Sequence, residues 1–213
     1  MSLGAIWAFD EDGRLASRQP FPHDGILLVS STIRASSTRV EARHRIRTCV
    51  RHALSQCLGL SPDAIAFISH PGHAPRLMIN DWPEPGFSIS HEAGCSLAAV
   101  HLHGAVGVDV MQVQDVPDWQ AVAQDYLGAD VTARLMSVPE AMRSTAFAKA
   151  WCEREALLKL HGLELGEWGQ VVMLMGEGVE VHMGRGMVGV VAVVTAAHHP
   201  HKSSKRPFPK RVS

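Results

Sequence analysis

Apolar and polar residues along this 213-residue chain alternate with two different periods, which predicts a mixture of helices and strands. Helical spacing predicts two long helices at 38–58 and 140–161, with shorter ones near 118–127 and 130–136. Apolar runs bounded by turn residues predict strands near 26–30, 64–69, 107–110, 170–175, 178–183 and 187–196, and a hairpin that begins at 86 and ends by 103. This count of elements predicts an α+β fold.

The order of these elements predicts two lobes, because each half of the chain has its own long helix and its own strands. We expect an N-terminal lobe at 1–103 and a C-terminal lobe at 104–197. The last stretch, 198–213, has five Lys or Arg residues, three prolines and no acids. That composition predicts a basic, mobile tail.

Composition indicates an ordinary soluble protein, with 46% hydrophobic residues, 19% charged residues and a net charge of −1. The balanced charge and the 6% aromatic content argue against nucleic-acid binding. The apolar run 188–197 is too short to span a membrane, and no secretion signal is predicted. Four cysteines without C-x-x-C spacing are expected to be reduced, which favours a cytoplasmic location.

The second long helix carries an acid and a base on one face. Trp151, Glu155 and Lys159 follow one another at four-residue intervals. A carboxylate can ligate a hard cation such as Mg2+, and an ammonium one turn further can hold phosphate oxygens. Taken alone, this spacing is more often an ordinary surface ion pair worth a few tenths of a kcal/mol. The choice depends on the rest of the chain.

Two upstream segments supply further polar groups at strand ends. Ser90 and His91 fall where the first strand of the predicted hairpin meets its turn, and Asp109 interrupts the apolar run Val106–Val110. Each alone would more often be a turn histidine or a strand-end cap. A carboxylate buried in an apolar strand, however, is costly unless it is paired or bound to a metal.

Three blocks in this order resemble the 4'-phosphopantetheinyl transferases, in particular the larger single-chain class typified by the enzyme that activates surfactin synthetase. They are Phe87-Ser-Ile-Ser-His91-Glu-Ala-Gly94, Gly107-Val-Asp109-Val-Met111 and Trp151-Cys-Glu-Arg154-Glu155-Ala-Leu-Leu-Lys159. Each block alone is a weak pattern, but the three together, with this spacing over 86–160, are specific.

The resemblance implies transfer of 4'-phosphopantetheine from coenzyme A to a serine of an acyl or peptidyl carrier protein, with release of adenosine 3',5'-bisphosphate. It implies two pseudo-symmetric lobes, each a small antiparallel sheet packed on a long helix, with coenzyme A between them. The protein is expected to act as a monomer. By the same resemblance, Asp109 and Glu155 bind Mg2+ and Glu155 and Lys159 are catalytic. Coenzyme A contacts are implied for Ser90, His91, Lys159, Arg39 and Arg43.

Three positions depart from the family pattern. Met111 stands where many members carry another acidic metal ligand, and Arg154 replaces the usual lysine before the glutamate. The turn 72–76 has no lysine where the family usually places one near the nucleotide, although His73 or Arg76 could substitute. Arg39, Arg43, Arg47 and Arg51 recur at four-residue intervals and form a stripe along the first long helix, which could equally be a solvated face.

Two rival functions are compatible with parts of the sequence. The absence of an acid at Met111 would suit a non-catalytic relative that binds coenzyme A or a carrier protein. His101 and His103 alternate on one face of a strand, which would suit a zinc hydrolase. Retention of Asp109 and Glu155 argues against the first rival, and the lack of a third ligand at zinc spacing argues against the second.

Overall fold

The computed structural model describes residues 6–17, 24–34, 36–170, 174–184 and 186–194. The predicted tail at 198–213 and part of the strand predicted near 170–175 lie outside these ranges. The described chain has four helices: α1 Arg39–Leu58, α2 Trp119–Tyr126, α3 Ala129–Ser137 and α4 Glu140–Leu160. Short 3-10 turns cover Pro62–Ala64 and Trp168–Gln170.

Ten strands accompany these helices in the described ranges, in sheets of five, three and two strands. They are β1 Ile6–Phe9, β2 Leu15–Ser17, β3 Ile26–Thr32, β4 Ile65–Ile68, β5 Arg76–Ile79, β6 Gly86–Glu92, β7 Cys95–His101, β8 Val106–Gln112, β9 Glu177–His182 and β10 Met187–Val193.

The predicted α+β fold is confirmed, with both long helices within two residues of their expected ends. Strands β1, β2 and β5 were not predicted, since runs of three or four residues carry little periodicity. The strand predicted near 170–175 is wrong where it can be compared. Gln170 ends a 3-10 turn, and 174–176 are not in a strand.

Helix α1 begins and ends where its sequence provides caps. Thr38 accepts a hydrogen bond from the Glu41 amide, while the Glu41 carboxylate accepts from the Thr38 amide, which completes a capping box. Gly59 ends the helix in the left-handed conformation, at φ 68°. None of the helices in the described part of the chain combines the length and apolar character needed to cross a membrane.

The five-stranded sheet packs its first face on α1 and forms the larger core. Its strand order is β2-β1-β3-β7-β6, antiparallel except for the parallel pair β1 and β3. Alternate residues of β3, β6 and β7 face α1, as their two-residue period requires. The fully buried core residues on this side include Leu27, Val29, Ile46, Val50, Leu54, Ala98 and Val100.

The three-stranded sheet, in the order β8-β10-β9, packs on α4. Val106, Val108 and Val110 of β8 contact the core shared with the first sheet, so the intervening residues 107, 109 and 111 face α4. Gly107 allows α4 to approach β8 closely, since a Cβ at this position would overlap the carbonyl oxygen of Ala156. The helix is therefore held directly over Asp109.

Strands β6 and β8 bring the two sheets together. The Val108 amide donates to Ser88 Oγ at 3.1 Å, and the Gln112 amide lies 3.5 Å from Glu92 Oε2. The predicted boundary at 103/104 falls in the turn between β7 and β8. Each of the two larger sheets has its own long helix, which agrees with the predicted two-lobe plan.

Candidate functional site

Strand β6 supplies polar side chains to both of its faces. Ser88 and Ser90 point toward β8, whereas Phe87, Ile89 and His91 share the face that packs toward α1. One short strand therefore contacts the carboxylate of the second sheet and the helix of the first. Because its side chains alternate between two faces, β6 lies between groups that are far apart in the sequence.

Asp109 of β8 is the carboxylate that contacts β6, and it is only 7% exposed. Its Oδ1 accepts hydrogen bonds from Ser90 Oγ and from Lys159 Nζ, both at 2.7 Å. Lys159 also donates to the Val108 carbonyl at 3.2 Å. The predicted buried charge is thus paired, as a carboxylate in a low-dielectric environment must be.

Glu155 lies one turn before Lys159 on α4, half-buried beside Asp109. Burial raises the pKa of the Glu155 carboxyl, and the negative charge of Asp109 raises it further, against the opposing effect of Lys159 and Arg154. No hydrogen bond or ion pair formed by the Glu155 side chain occurs among the described residues. Its carboxylate is therefore available to a ligand or a proton.

A cavity of about 590 Å³ opens between α1, the turn at 69–75 and the end of β6. Ser90 and Lys159 line it, and both contact Asp109 directly. The other polar residues that line it are mainly arginines and histidines: Arg39, Arg43, His44, Arg47, His70, His73 and His91. Such a cavity attracts a polyanion.

Three arginines of the predicted stripe thus face one cavity, and the fourth does not. Arg47 Nη2 donates to Ser69 Oγ at 2.6 Å, and its guanidinium lies 5.9 Å from the Phe67 ring centroid. Arg51 instead donates to the Ile65 carbonyl at 3.1 Å, and its guanidinium lies 5.3 Å from the centroid of the same ring. Arg47 is half-buried and Arg39 and Arg43 are exposed, so the solvated-face alternative does not describe Arg47 but still describes the other two.

His91 is held neutral in this cavity. Desolvation lowers its pKa from 6.5 to about 4, and the positive charges of Arg43, Arg39, Lys159 and Arg47 contribute to the same shift. Its Nδ1 lies 2.8 Å from Ser96 Oγ. At neutral pH the imidazole therefore acts as a hydrogen-bonding group without a positive charge of its own.

This depressed pKa predicts a specific pH dependence of stability. The unfolded histidine, with a pKa near 6.5, binds a proton before the folded one does, so stability falls as pH decreases from about 6.5 to about 4. The difference between these two pKa values corresponds to about 3 kcal/mol of folding free energy. Urea denaturation of wild type and His91→Gln across this range measures it. We expect a steeper loss in wild type, and parallel curves would contradict the assigned neutral state.

The donor chemistry of the site fits a weakly held Mg2+. Asp109 and Glu155 are two nearby carboxylates whose mutual repulsion a hard cation would relieve. Among the described residues, no group of three or more His, Cys, Asp or Glu side chains has metal-binding geometry. Water or substrate oxygens would have to complete the coordination, which Mg2+ commonly accepts.

Met111 packs against two apolar clusters instead of adding a carboxylate. It lies on the same face of β8 as Asp109 and is partly buried against the cores that include Cys152 and Phe147. Its thioether therefore joins the second sheet to α2 and α4. Met111 therefore contributes to packing at a position where an acidic residue would have added a carboxylate to the site.

Trp151 and Arg154 also have packing roles. Trp151 stacks on Phe147 with ring centroids 6.0 Å apart and contacts Tyr126 edge-on at 5.8 Å. Arg154 is 7% exposed, and its guanidinium lies 4.7 Å from the Trp168 ring centroid. Trp151 therefore packs against the apolar cluster around Phe147.

Other predicted residues have different partners. Arg76, proposed as a substitute for the missing lysine, forms a bidentate ion pair with Glu84, whereas His73 lines the cavity. The rings of His101 and His103 lie 6.3 Å apart, without the third ligand that a zinc site needs in the described part of the chain. All four cysteines carry reduced thiols.

Two residues at the site had no individual role in the sequence prediction. Arg47 belongs to the arginine stripe, but only the fold shows that it reaches the cavity wall. Ser96 sits in the apolar strand β7, where an isolated polar residue between Cys95 and Leu97 is a weak signal. Its pairing opposite His91 depends on the register of the β6–β7 hairpin.

Comparison with known proteins agrees with the second and third motifs, which lie within the matched range. Residues 105–175 match the 4'-phosphopantetheinyl transferase superfamily. A Synechocystis protein named "Putative 4'-phosphopantetheinyl transferase slr0495" is 25% identical over 117 residues. The alignment covers 55% of this chain and 48% of that protein, so it spans about half of the relative's length. Both findings support a relationship to this superfamily of transferases.

Proposed function

We propose that this protein transfers the 4'-phosphopantetheine group of coenzyme A to a serine hydroxyl of an acyl or peptidyl carrier protein. One observation carries the proposal: a cavity lined by Arg39, Arg43 and Arg47 ends at Lys159, which is bonded directly to the buried Asp109. A polyanionic substrate and an acidic reaction centre would thus be adjacent. The superfamily similarity supports coenzyme A as that substrate.

In this mechanism the cationic wall orients the phosphates of coenzyme A. Arginine and lysine donors offer charge-assisted hydrogen bonds to phosphate oxygens, and neutral His91 can add one without further charge. Lys159 would contact the reacting diphosphate while it keeps its hydrogen bond to Asp109. Ser90 fixes the Asp109 carboxylate through its hydroxyl, so its predicted contact with coenzyme A is secondary to that bond.

Glu155 is the proposed base. The carrier serine oxygen forms a bond to the phosphorus on the pantetheine side, the bridging P–O bond breaks, and adenosine 3',5'-bisphosphate leaves with that electron pair. The serine proton passes to Glu155 directly or through a water. Its raised pKa favours proton acceptance, since a base works best when its pKa approaches the working pH.

Mg2+ would be held by Asp109 and Glu155, and when bound it would neutralise charge that develops on the phosphoryl oxygens. We further propose the larger single-chain class, with pseudo-symmetric lobes that meet near 103/104. The two sheet-and-helix units support this class. The reduced thiols of the four cysteines support the proposed cytoplasmic location. The proposed monomer rests on the family resemblance alone.

The direct test is the intact mass of an apo acyl carrier protein after incubation with this protein, coenzyme A and Mg2+. We expect the mass of one phosphopantetheine to be added, and the addition to stop with a chelator or with a carrier whose acceptor serine is alanine. No addition across several acyl and peptidyl carriers, with coenzyme A still bound by calorimetry, would instead indicate the non-catalytic binder.

Arg47 and Arg51 provide a matched pair for testing the cavity. Arg47→Ala is expected to weaken coenzyme A binding about 10- to 100-fold, because it removes a charge-assisted contact worth about 1.5–3 kcal/mol. Arg51→Ala, which removes a charge one turn away outside the cavity, should change affinity less than about threefold. Isothermal titration calorimetry measures both. Equal losses would place the nucleotide elsewhere or reduce the effect to long-range charge.

A further inference from the structure

A row of buried polar side chains crosses three strands of the first sheet beside the cavity. Ser31 of β3 pairs with Ser96 of β7, and Ser96 pairs in turn with His91 of β6. Both serines are 0% exposed. All three lie on the sheet face toward α1, whose other β7 residues, Ala98 and Val100, belong to the apolar core. Such a placement needs a physical reason, because an unpaired buried hydroxyl is costly.

The hydrogen bond between Ser96 and His91 determines which nitrogen of the imidazole ring carries the proton. Ser96 Oγ lies 2.8 Å from Nδ1, and the described residues offer its side chain no other hydrogen-bonding partner. A buried hydroxyl proton requires an acceptor, and in a neutral imidazole the acceptor is the nitrogen without hydrogen. If Ser96 donates to Nδ1, the imidazole proton must be on Nε2.

The other edge of the ring is then the one available to the cavity, which His91 lines together with Arg43, Arg47 and Lys159. An Nε2–H group would donate to an anion, whereas the opposite tautomer would present a lone pair and repel it. We infer that Ser96 is a positioning residue that fixes His91 in its Nε2–H tautomer, so that the neutral ring donates a hydrogen bond to an anionic ligand in this cavity.

This inference extends the proposed function, since it specifies how His91 contacts the phosphates of coenzyme A. It also explains why a neutral histidine is useful among so many cations. Protonation would add repulsion to the surrounding positive charges, while the neutral Nε2–H tautomer contributes a directed donor without it. The Ser96 hydroxyl lies in the otherwise apolar strand β7 because it sets the orientation and the tautomer of the His91 ring.

The first test is the tautomer of His91 in the ligand-free wild-type protein, measured from its ring nitrogen shifts by two-dimensional NMR with 15N-labelled histidine. His91→Gln assigns the signal. We expect an Nε2–H tautomer. A proton on Nδ1, or a mixture of the two tautomers, would overturn the inference. This measurement needs no transfer activity, so its result and the result of the carrier assay are distinguishable.

The second test compares Ser96→Ala with Ser96→Thr, which keeps a hydroxyl. In Ser96→Ala we expect a change in the Nδ1 shift and a loss of the single tautomer, with about three- to tenfold weaker coenzyme A binding by calorimetry. Ser96→Thr should restore most of both. An unchanged tautomer and unchanged affinity in a folded Ser96→Ala protein would overturn the positioning role. If Ser96→Ala does not fold, the wild-type measurement remains decisive.

Discussion

Replacing Glu155 by glutamine is expected to lower the rate of phosphopantetheine transfer by about 10²- to 10⁴-fold, the usual contribution of a positioned general base. Glutamine keeps nearly the same shape but can neither accept the serine proton at neutral pH nor bind Mg2+ as a carboxylate does. Folding should change little. The Glu155 side chain forms no hydrogen bond or ion pair within the described residues, and its charge is disfavoured by burial and by Asp109. Initial rates by intact mass, together with urea denaturation, measure both effects.

Glu153→Gln is the matched control, because Glu153 is an exposed glutamate two residues earlier on α4. It should retain close to wild-type activity. Varying Mg2+ separates the two proposed roles of Glu155. If this residue acts mainly as a metal ligand, high Mg2+ should restore much of the rate, whereas the loss of a base should persist at saturation. Wild-type turnover in Glu155→Gln would exclude both roles.

Gly107→Ala is expected to destabilise the fold by about 1–3 kcal/mol or more and to reduce transfer activity as well. The added methyl group would overlap the carbonyl oxygen of Ala156, so α4 would have to move away from β8. That movement separates the strand that carries Asp109 from the helix that carries Glu155 and Lys159. The free energy of unfolding in urea and the transfer rate at a temperature where the variant is folded measure the two effects.

Gly169→Ala is a suitable control for this substitution. A Cβ at Gly169 would have no heavy atom of a described residue within 4 Å, and this glycine is not among those with positive φ. Its stability should remain within about 0.5 kcal/mol of wild type. If Gly107→Ala were as stable and active as Gly169→Ala, the close approach of α4 to β8 would not be needed to assemble the site.

Sequence patterns were most informative where local physics decides the structure. The capping box at Thr38 and Glu41 and the glycine at 59 mark the ends of α1 without reference to any distant residue. The three motifs likewise identified Asp109, Glu155 and Lys159, two of which the fold joins at 2.7 Å. Strands as short as β2 and β5 were missed because their pairing partners, and not their own periodicity, define them.

The amino-acid sequence by itself determined the ends of the two long helices, the α+β composition and the set of candidate site residues, since these depend on local periodicity, caps and motif spacing. Only the tertiary structure decided which cations share a cavity, that Met111 packs in apolar cores, and that Ser96 lies opposite His91. These features depend on strand register and on the approach of α4 to β8. Both arise from contacts between residues far apart in the chain, which local preference does not specify.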